Sequence, residues 1–187
     1  MTDFDAQPEL ADDAVRLRPL EPGDWDALFA VASDPLIWAV HPAHDRWQEP
    51  VFRQFFANAL ASGGALAVID RASGEVIGSS RFDVRRALPN EIEIGWTFIA
   101  RRYWGGAVNR SMKRLMIGHA LGHFERVIFW VGETNVRSRR AMEKIGGLLT
   151  DRIERADMAG VETTHVVYAI DRSGFETGPL APAAEAG

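Results

Sequence analysis

The segment RRYWGGAVNRSMKRL, residues 101–115, reads as a helix entered through two adjacent glycines, and it carries Arg101, Arg102, Arg110, Lys113 and Arg114 with no carboxylate among them. A helix start bears a partial positive charge that favours Asp or Glu, so cations gathered there repel the backbone unless an anion lies between them. The first N–H groups of a helix point outward without an intrahelical partner. Behind a glycine loop they form a nest for phosphate oxygens. Gly105 and Gly106 leave room for close approach where a Cβ would block it, and Arg102 and Arg110 can add charge-assisted bonds. The chemistry this stretch suits is the binding of a pyrophosphate.

The charge distribution agrees. Residues 101–144 hold ten Lys and Arg against three Glu, whereas the whole chain of 187 residues is at −5. One basic block in an acidic molecule points to a local anion rather than a long polyanion. Neither G-x-G-x-x-G nor G-x-x-x-x-G-K-[ST] occurs. The pattern present is R-x-x-G-x-A, at Arg102, Gly105 and Ala107.

Several elements position this loop. VRLRPL (15–20) alternates as a strand, and Trp25, Leu28, Phe29 and Ala32 make a helical face. WAVHPAHDRWQ is irregular. A second amphipathic helix carries Phe52, Phe55, Phe56, Ala59 and Leu60. ALAVID and EVIGSSRFDV form a hairpin around RASG. EIEIGWTFI (91–99) alternates strictly, which predicts Ile92, Ile94, Trp96 and Phe98 on one face and Glu91, Glu93, Gly95 and Thr97 on the other. The helix after the loop is expected to bury Met112, Leu115, Met116 and His119. RVIFWVG is a strand covered on both faces, NVRSRRAMEKIGG a short helix, and LLTDRIERAD with HVVYAI a closing antiparallel pair. The order β-α-α-β-β-β-α-β-α-β-β predicts an α/β (α+β) domain with a mixed sheet and helices on both faces. That domain is expected over 15–171, between an acidic extension at 1–14 and a flexible tail at 172–187.

EIGWTFIARRYWGGA followed by NVRSRRAMEKIGG resembles the GNAT superfamily of acetyl-CoA-dependent N-acetyltransferases, in which a loop [QR]-x-x-G-x-[GA] joins a strand to a helix and N-x-x-S-x-x-x-x-E-K-[LI]-G follows. The resemblance spans roughly residues 15–171 in element order and is nearest the branch that includes the ribosomal-protein acetyltransferases. It implies a mostly antiparallel sheet and acetyl-CoA as cosubstrate, with the diphosphate held by Arg101, Arg102, Trp104, Gly105, Gly106, Ala107 and Arg110. It also implies that Asn135 contacts the pantetheine arm. By composition Asn135 is also an N-cap.

Transfer to an amine requires that the ammonium lose a proton, since an amine of pKa ~10.4 is almost wholly protonated near pH 7. The resemblance turns the face bearing Glu93 toward the acceptor. Glu93 is therefore the candidate base, directly or through water, with Glu91 in reserve. The backbone amide of Trp96 or Phe98 would receive the oxyanion. Many relatives carry a Tyr seven residues after the motif Asn to protonate the leaving thiolate, but Met142 stands there. Ser138, on the inward helical face, is the remaining candidate, and a serine bonded to its own helix backbone is the alternative. No Cys is present, and direct attack in a ternary complex is favoured over an acyl-enzyme. A CoA-binding regulatory module without turnover is the reading from another class.

His41, His44 and Asp45 lie close together, but other ligands are lacking nearby and no metal is assigned. By the resemblance this loop lies at the acceptor entrance, so Trp38, Trp47 and His41 are candidate substrate contacts, as is Glu91. His119 and His123 lack the Glu of H-E-x-x-H. The tryptophans fall in apolar patterns of an acidic chain, against nucleic-acid binding. No run approaches the ~20 apolar residues of a membrane span, and the start lacks the basic and apolar regions of a signal peptide. A cytoplasmic protein is expected, compatible with a homodimer, whose acceptor is a small-molecule amine or a protein N-terminus.

Overall fold

A computed structural model describes residues 4–181. Its strands are β1 (Leu10–Ala11), β2 (Val15–Pro19), β3 (Ala65–Asp70), β4 (Val76–Asp83), β5 (Glu91–Ile99), β6 (Arg126–Gly132), β7 (Leu148–Met158) and β8 (Val161–Asp171). They form one sheet in the order β1-β2-β3-β4-β5-β6-β8-β7, antiparallel throughout except for the parallel pair β5–β6. The helices are α1 (Trp25–Ala32), α2 (Pro35–Trp38), α3 (Glu49–Ala61), α4 (Ala107–Leu121), α5 (Val136–Lys144) and α6 (Arg172–Thr177).

Two apolar layers sandwich the sheet. On one face Met112, Met116 and Ile117 of α4 pack on Leu17, Val68, Ile92 and Ile94. On the other, Leu28 of α1, Trp38 of α2 and Phe52 and Phe56 of α3 pack on Ala65, Ala67 and Phe98. Ile92 and Phe98 thus lie on opposite faces of one strand, although both are even-numbered. The cause is a bulge. β4 and β5 pair as Arg81↔Gly95 and then Ser79↔Phe98, so Ser80 faces two residues. The extra residue is Trp96, whose φ of 52° lies in the left-handed region. A bulge adds one residue and reverses the side-chain phase beyond it. The strict alternation expected for 91–99 therefore fails at its centre. Trp96 meets the guanidinium groups of Arg81 and Arg86 on the Glu93 side. Thr97 turns to the α4 side, where Lys113 Nζ donates to its Oγ1 at 3.1 Å.

Both flanking segments pack onto the domain. In the N-terminal extension Phe4 packs edge-on against Phe82 and Phe124, β1 pairs with β2, and Arg114 Nη2 reaches Asp12 Oδ2 at 2.9 Å. The loose tail expected from residue 172 begins instead as α6, capped by Asp171, whose Oδ1 accepts the Gly174 N–H at 2.7 Å. Phe175 of α6 and Leu180 beyond it join the α4-side core. A Gly, Pro and Ala composition conceals these two apolar anchors. Residues 182–187 of the expected tail lie outside the described residues.

Candidate functional site

β5 and β6 pair only at Glu91↔Arg126, Ile92↔Val127 and Glu93↔Ile128. Beyond Glu93 they part, and the bulge at Trp96 falls in the parted section. A cavity of about 240 Å³ fills the gap. Its walls are Gly95 through Ile99 of β5, Phe129 through Gly132 of β6, and Asn135, Ser138 and Met142 of α5. Parallel strands that separate leave backbone N–H and C=O groups without a ladder partner, so the cleft can accept a ligand's amides or carbonyls.

At one end the cavity reaches Trp104, Gly105 and Asn109. Gly105 has φ 69° and open space where its Cβ would stand. A left-handed turn with no obstruction above it is the conformation glycine supplies. Gly106 is the N-cap of α4 and gives no side-chain bond to the first amides. The cations divide in a way the sequence did not predict. Arg101 Nε contacts Asp34 Oδ2 at 2.5 Å, Arg102 pairs with Glu75, and Arg114 pairs with Asp12. Three of the five are therefore answered by acids from distant segments. Arg110 is exposed and meets no carboxylate among the described residues. Arg101, Arg102, Gly106, Ala107 and Arg110 stand outside the enclosed cavity, on the surface beyond Gly105.

On the α1–α3 face of β5, Glu93 is 1% exposed. Arg86 holds its carboxylate in two bonds, Nη2 to Oε1 at 2.5 Å and Nε to Oε2 at 3.1 Å. Burial pushes the Glu93 carboxyl above the usual carboxylate range, while Arg86 draws it down. The carboxylate does not itself line the cavity; it lies behind Gly95, which does. Glu91 is placed elsewhere. It receives Arg126 Nη1 at 3.2 Å, Arg152 Nη1 at 2.6 Å and the Leu88 N–H at 3.2 Å. It sits at the fully paired start of β5, away from the cavity, and ties β5 to β6 and β7. It is not among the residues that line the cavity.

Asn135 caps α5, its Oδ1 accepting the Ser138 N–H at 3.1 Å, and both residues line the cavity. Trp38 lines it from within the core, its indole N–H given to Ala32 O at 2.7 Å. His41 lines it too. Its Nδ1 accepts the Ala43 N–H at 2.9 Å, which places the ring proton on Nε2. Burial, with Arg46, His165 and Arg137 nearby, pushes the His41 pKa down to about 3. Across the mouth, Arg137 donates to Ile37 O at 3.0 Å and lies 4.0 Å from the Trp104 ring centroid.

Lys113 is the residue whose role the sequence reading missed. It is 3% exposed, lines the cavity, and lies 5.0 Å from the Phe129 ring centroid. Burial pushes its pKa down to about 7. A helical wheel carries the signal: Lys113 shares its stripe with the buried Met116, Ile117 and Ala120 at i+3, i+4 and i+7.

Residues 14–147 match the model of the Acetyltransferase (GNAT) domain. No curated protein matches the sequence. Solved structures agree in fold. A GCN5-related N-acetyltransferase from Brucella melitensis aligns at TM-score 0.81 and 22% identity, over 94% of this chain and 86% of its own. A GNAT-family acetyltransferase from Bacillus anthracis aligns at 0.71 and 19%, over 89% and 99%. Mycobacterium smegmatis RimJ, solved with CoA-disulfide, aligns at 0.68 and 16%, over 92% and 90%. Among the described residues no helix is long and apolar enough to cross a membrane. The family model covers well over half of the sequence, and the chain belongs to the GNAT family of acetyl-CoA-dependent N-acetyltransferases.

Proposed function

We propose that the protein transfers the acetyl group of acetyl-CoA to a primary amine by direct attack, with donor and acceptor held together in the cleft between β5 and β6. The observation that carries this reading is the cleft itself, which reaches the glycine loop and has Glu93 behind its Gly95 wall.

The residues fit the donor. Gly105 presents an unobstructed turn, and the first amides of α4 have no capping side chain. These groups, with Arg110 and a guanidinium of Arg102 released from Glu75, receive the diphosphate. Asn135 and Ser138 supply the polar wall along the pantetheine arm. The amide of Trp96 or Phe98, on the part of β5 that no longer pairs with β6, receives the oxyanion. Glu93 takes the proton of the amine through water at Gly95, since its carboxylate stands behind that residue. Trp38 and His41 flank the acceptor. The acceptor is a small-molecule amine or a protein N-terminus.

Thiol release from acetyl-CoA, followed across polyamines, amino sugars and peptides with free N-termini, tests the reading. Release that depends on one class of primary amine is expected. Tight binding of acetyl-CoA with no release on any amine would instead make the protein a CoA-binding module.

A further inference from the structure

The cleft contains a buried ammonium that the transfer scheme above does not use. Lys113 enters from the second turn of α4 and donates to Thr97 Oγ1, which lies 2.8 Å from Ser80 Oγ. Among the described residues no carboxylate pairs with it. The groups recorded against it are Thr97 of β5, itself bonded to Ser80 of β4, and the Phe129 ring of β6; Asn109 of its own helix and Ser138 of α5 line the same cavity. The other titratable side chains lining the cavity are His41, Arg137 and His165, and all of them become cations when protonated. A buried charge without a partner is costly and is retained when it serves a transient partner. Across the same cavity α5 presents Met142, and a thioether cannot donate a proton.

We propose that Lys113 is the proton donor to the departing sulfur of coenzyme A. The inference rests on the transfer reading above. As the amine nitrogen bonds to the thioester carbon, the C–S bond breaks and its electron pair goes to sulfur. An Nζ–H proton of Lys113 passes to that sulfur, giving the free thiol and a neutral Lys113 amine. Glu93 takes the proton that the attacking nitrogen loses; when the products leave, Glu93 gives that proton to solvent and Lys113 regains one from it. Thr97 and Ser80 hold Nζ in place as positioning residues. The near-neutral pKa of Lys113 suits this exchange, since a thiol is the weaker acid at about 8.5.

The test compares the wild type with Lys113→Met and Ser138→Ala in thiol release, over pH 5.5 to 9.5 as a practical range of about four units. In the wild type, kcat is expected to fall on the alkaline side with an apparent pKa near that of Lys113. In Lys113→Met, kcat is expected to drop about 10- to 100-fold and the alkaline limb to vanish, with KM for acetyl-CoA unchanged. The variant's melting temperature is expected to hold or rise, because the substitution removes a desolvated charge and leaves Thr97 and Ser80 bonded to each other. A merely structural lysine would give the reverse: lost stability and an intact pH profile. If the methionine variant does not fold, the wild-type profile still decides, since absence of its alkaline limb overturns the assignment. Transfer of the limb's loss to Ser138→Ala also overturns it. Mass spectrometry of the wild type with acetyl-CoA alone adds a check: acetyl found on Lys113 would make it an acceptor and not a donor of protons. No thiol release by the wild type with any amine overturns the transfer reading and this one together.

Discussion

The Glu93 carboxylate occupies the space that a side chain at Gly95 would need: a Cβ built on Gly95 stands 2.9 Å from Glu93 Oε1. Gly95 lines the cavity and Glu93 lies directly behind it, so the absent side chain is what brings the carboxylate within reach of the cleft. Gly95→Ala should push the carboxylate off Arg86 and lower kcat about 10- to 100-fold through misplacement alone. The fold should survive, because Oε1 ends a flexible side chain. Steady-state kinetics beside a thermal melt check this, and an unchanged kcat would disconnect Glu93 from the cleft.

A carboxyl raised by burial sets the acid side of the pH profile. Glu93 accepts a proton only when ionised, so activity should be lost as pH falls through a pKa above the ordinary carboxylate range. Glu93→Gln should lower kcat about 100-fold or more and move the optimum upward, since the amine must then shed its proton to solvent. Arg86→Ala removes the opposing pull and should move the acid limb higher still. Identical profiles for the wild type and Glu93→Gln would rule out Glu93 as the base.

The division of cations near the glycine loop predicts unequal effects on donor binding. Arg110 is free of carboxylates among the described residues, whereas Arg102 must first leave Glu75. Arg110→Ala should weaken acetyl-CoA binding by about 1 to 2 kcal/mol, roughly 5- to 30-fold, and flatten its salt dependence. Arg102→Ala should cost less. Calorimetric titration at two ionic strengths measures both, and equal losses would show that the Glu75 pair does not hold Arg102 back.

Acid stability offers a test away from the cleft. Burial opposes ionisation of Asp12, but bonds from the Ser111 hydroxyl, the Val15 and Ala14 N–H groups and Arg114 outweigh it and hold its pKa at about 2. A carboxylate whose folded pKa is depressed stabilises the fold above its unfolded pKa of about 3.9, and that contribution disappears as pH falls toward 2. After solvent screening it is worth about 1 kcal/mol. Asp12→Asn should therefore melt lower at neutral pH, with the gap to wild type closing between pH ~4 and ~2. A constant gap would assign the loss to packing.

The helix order, the glycine turn at Gly105, the cap at Asn135 and the segment running to Gly146 are legible in the sequence because each depends on residues a few positions apart. Capping, turn chemistry and amphipathic period are local, and they were enough to place the glycine loop and the helix it opens. The tertiary structure alone decided what lies beside what. One extra residue at Trp96 reverses the parity of β5, sending Phe98 to the face of Glu93 and Thr97 to that of Lys113, and a two-residue alternation cannot reveal where it slips. Distant acids, Asp34, Glu75 and Asp12, claim arginines that the sequence alone aims at one anion. Phe175 and Leu180 turn an unpromising tail into part of the core. Glu91 and Glu93 share a face and a charge, yet only one stands behind the cavity, because β5 and β6 stop pairing immediately after Glu93. Such outcomes depend on contacts between segments far apart in the chain, where burial and charge pairing outweigh local preference.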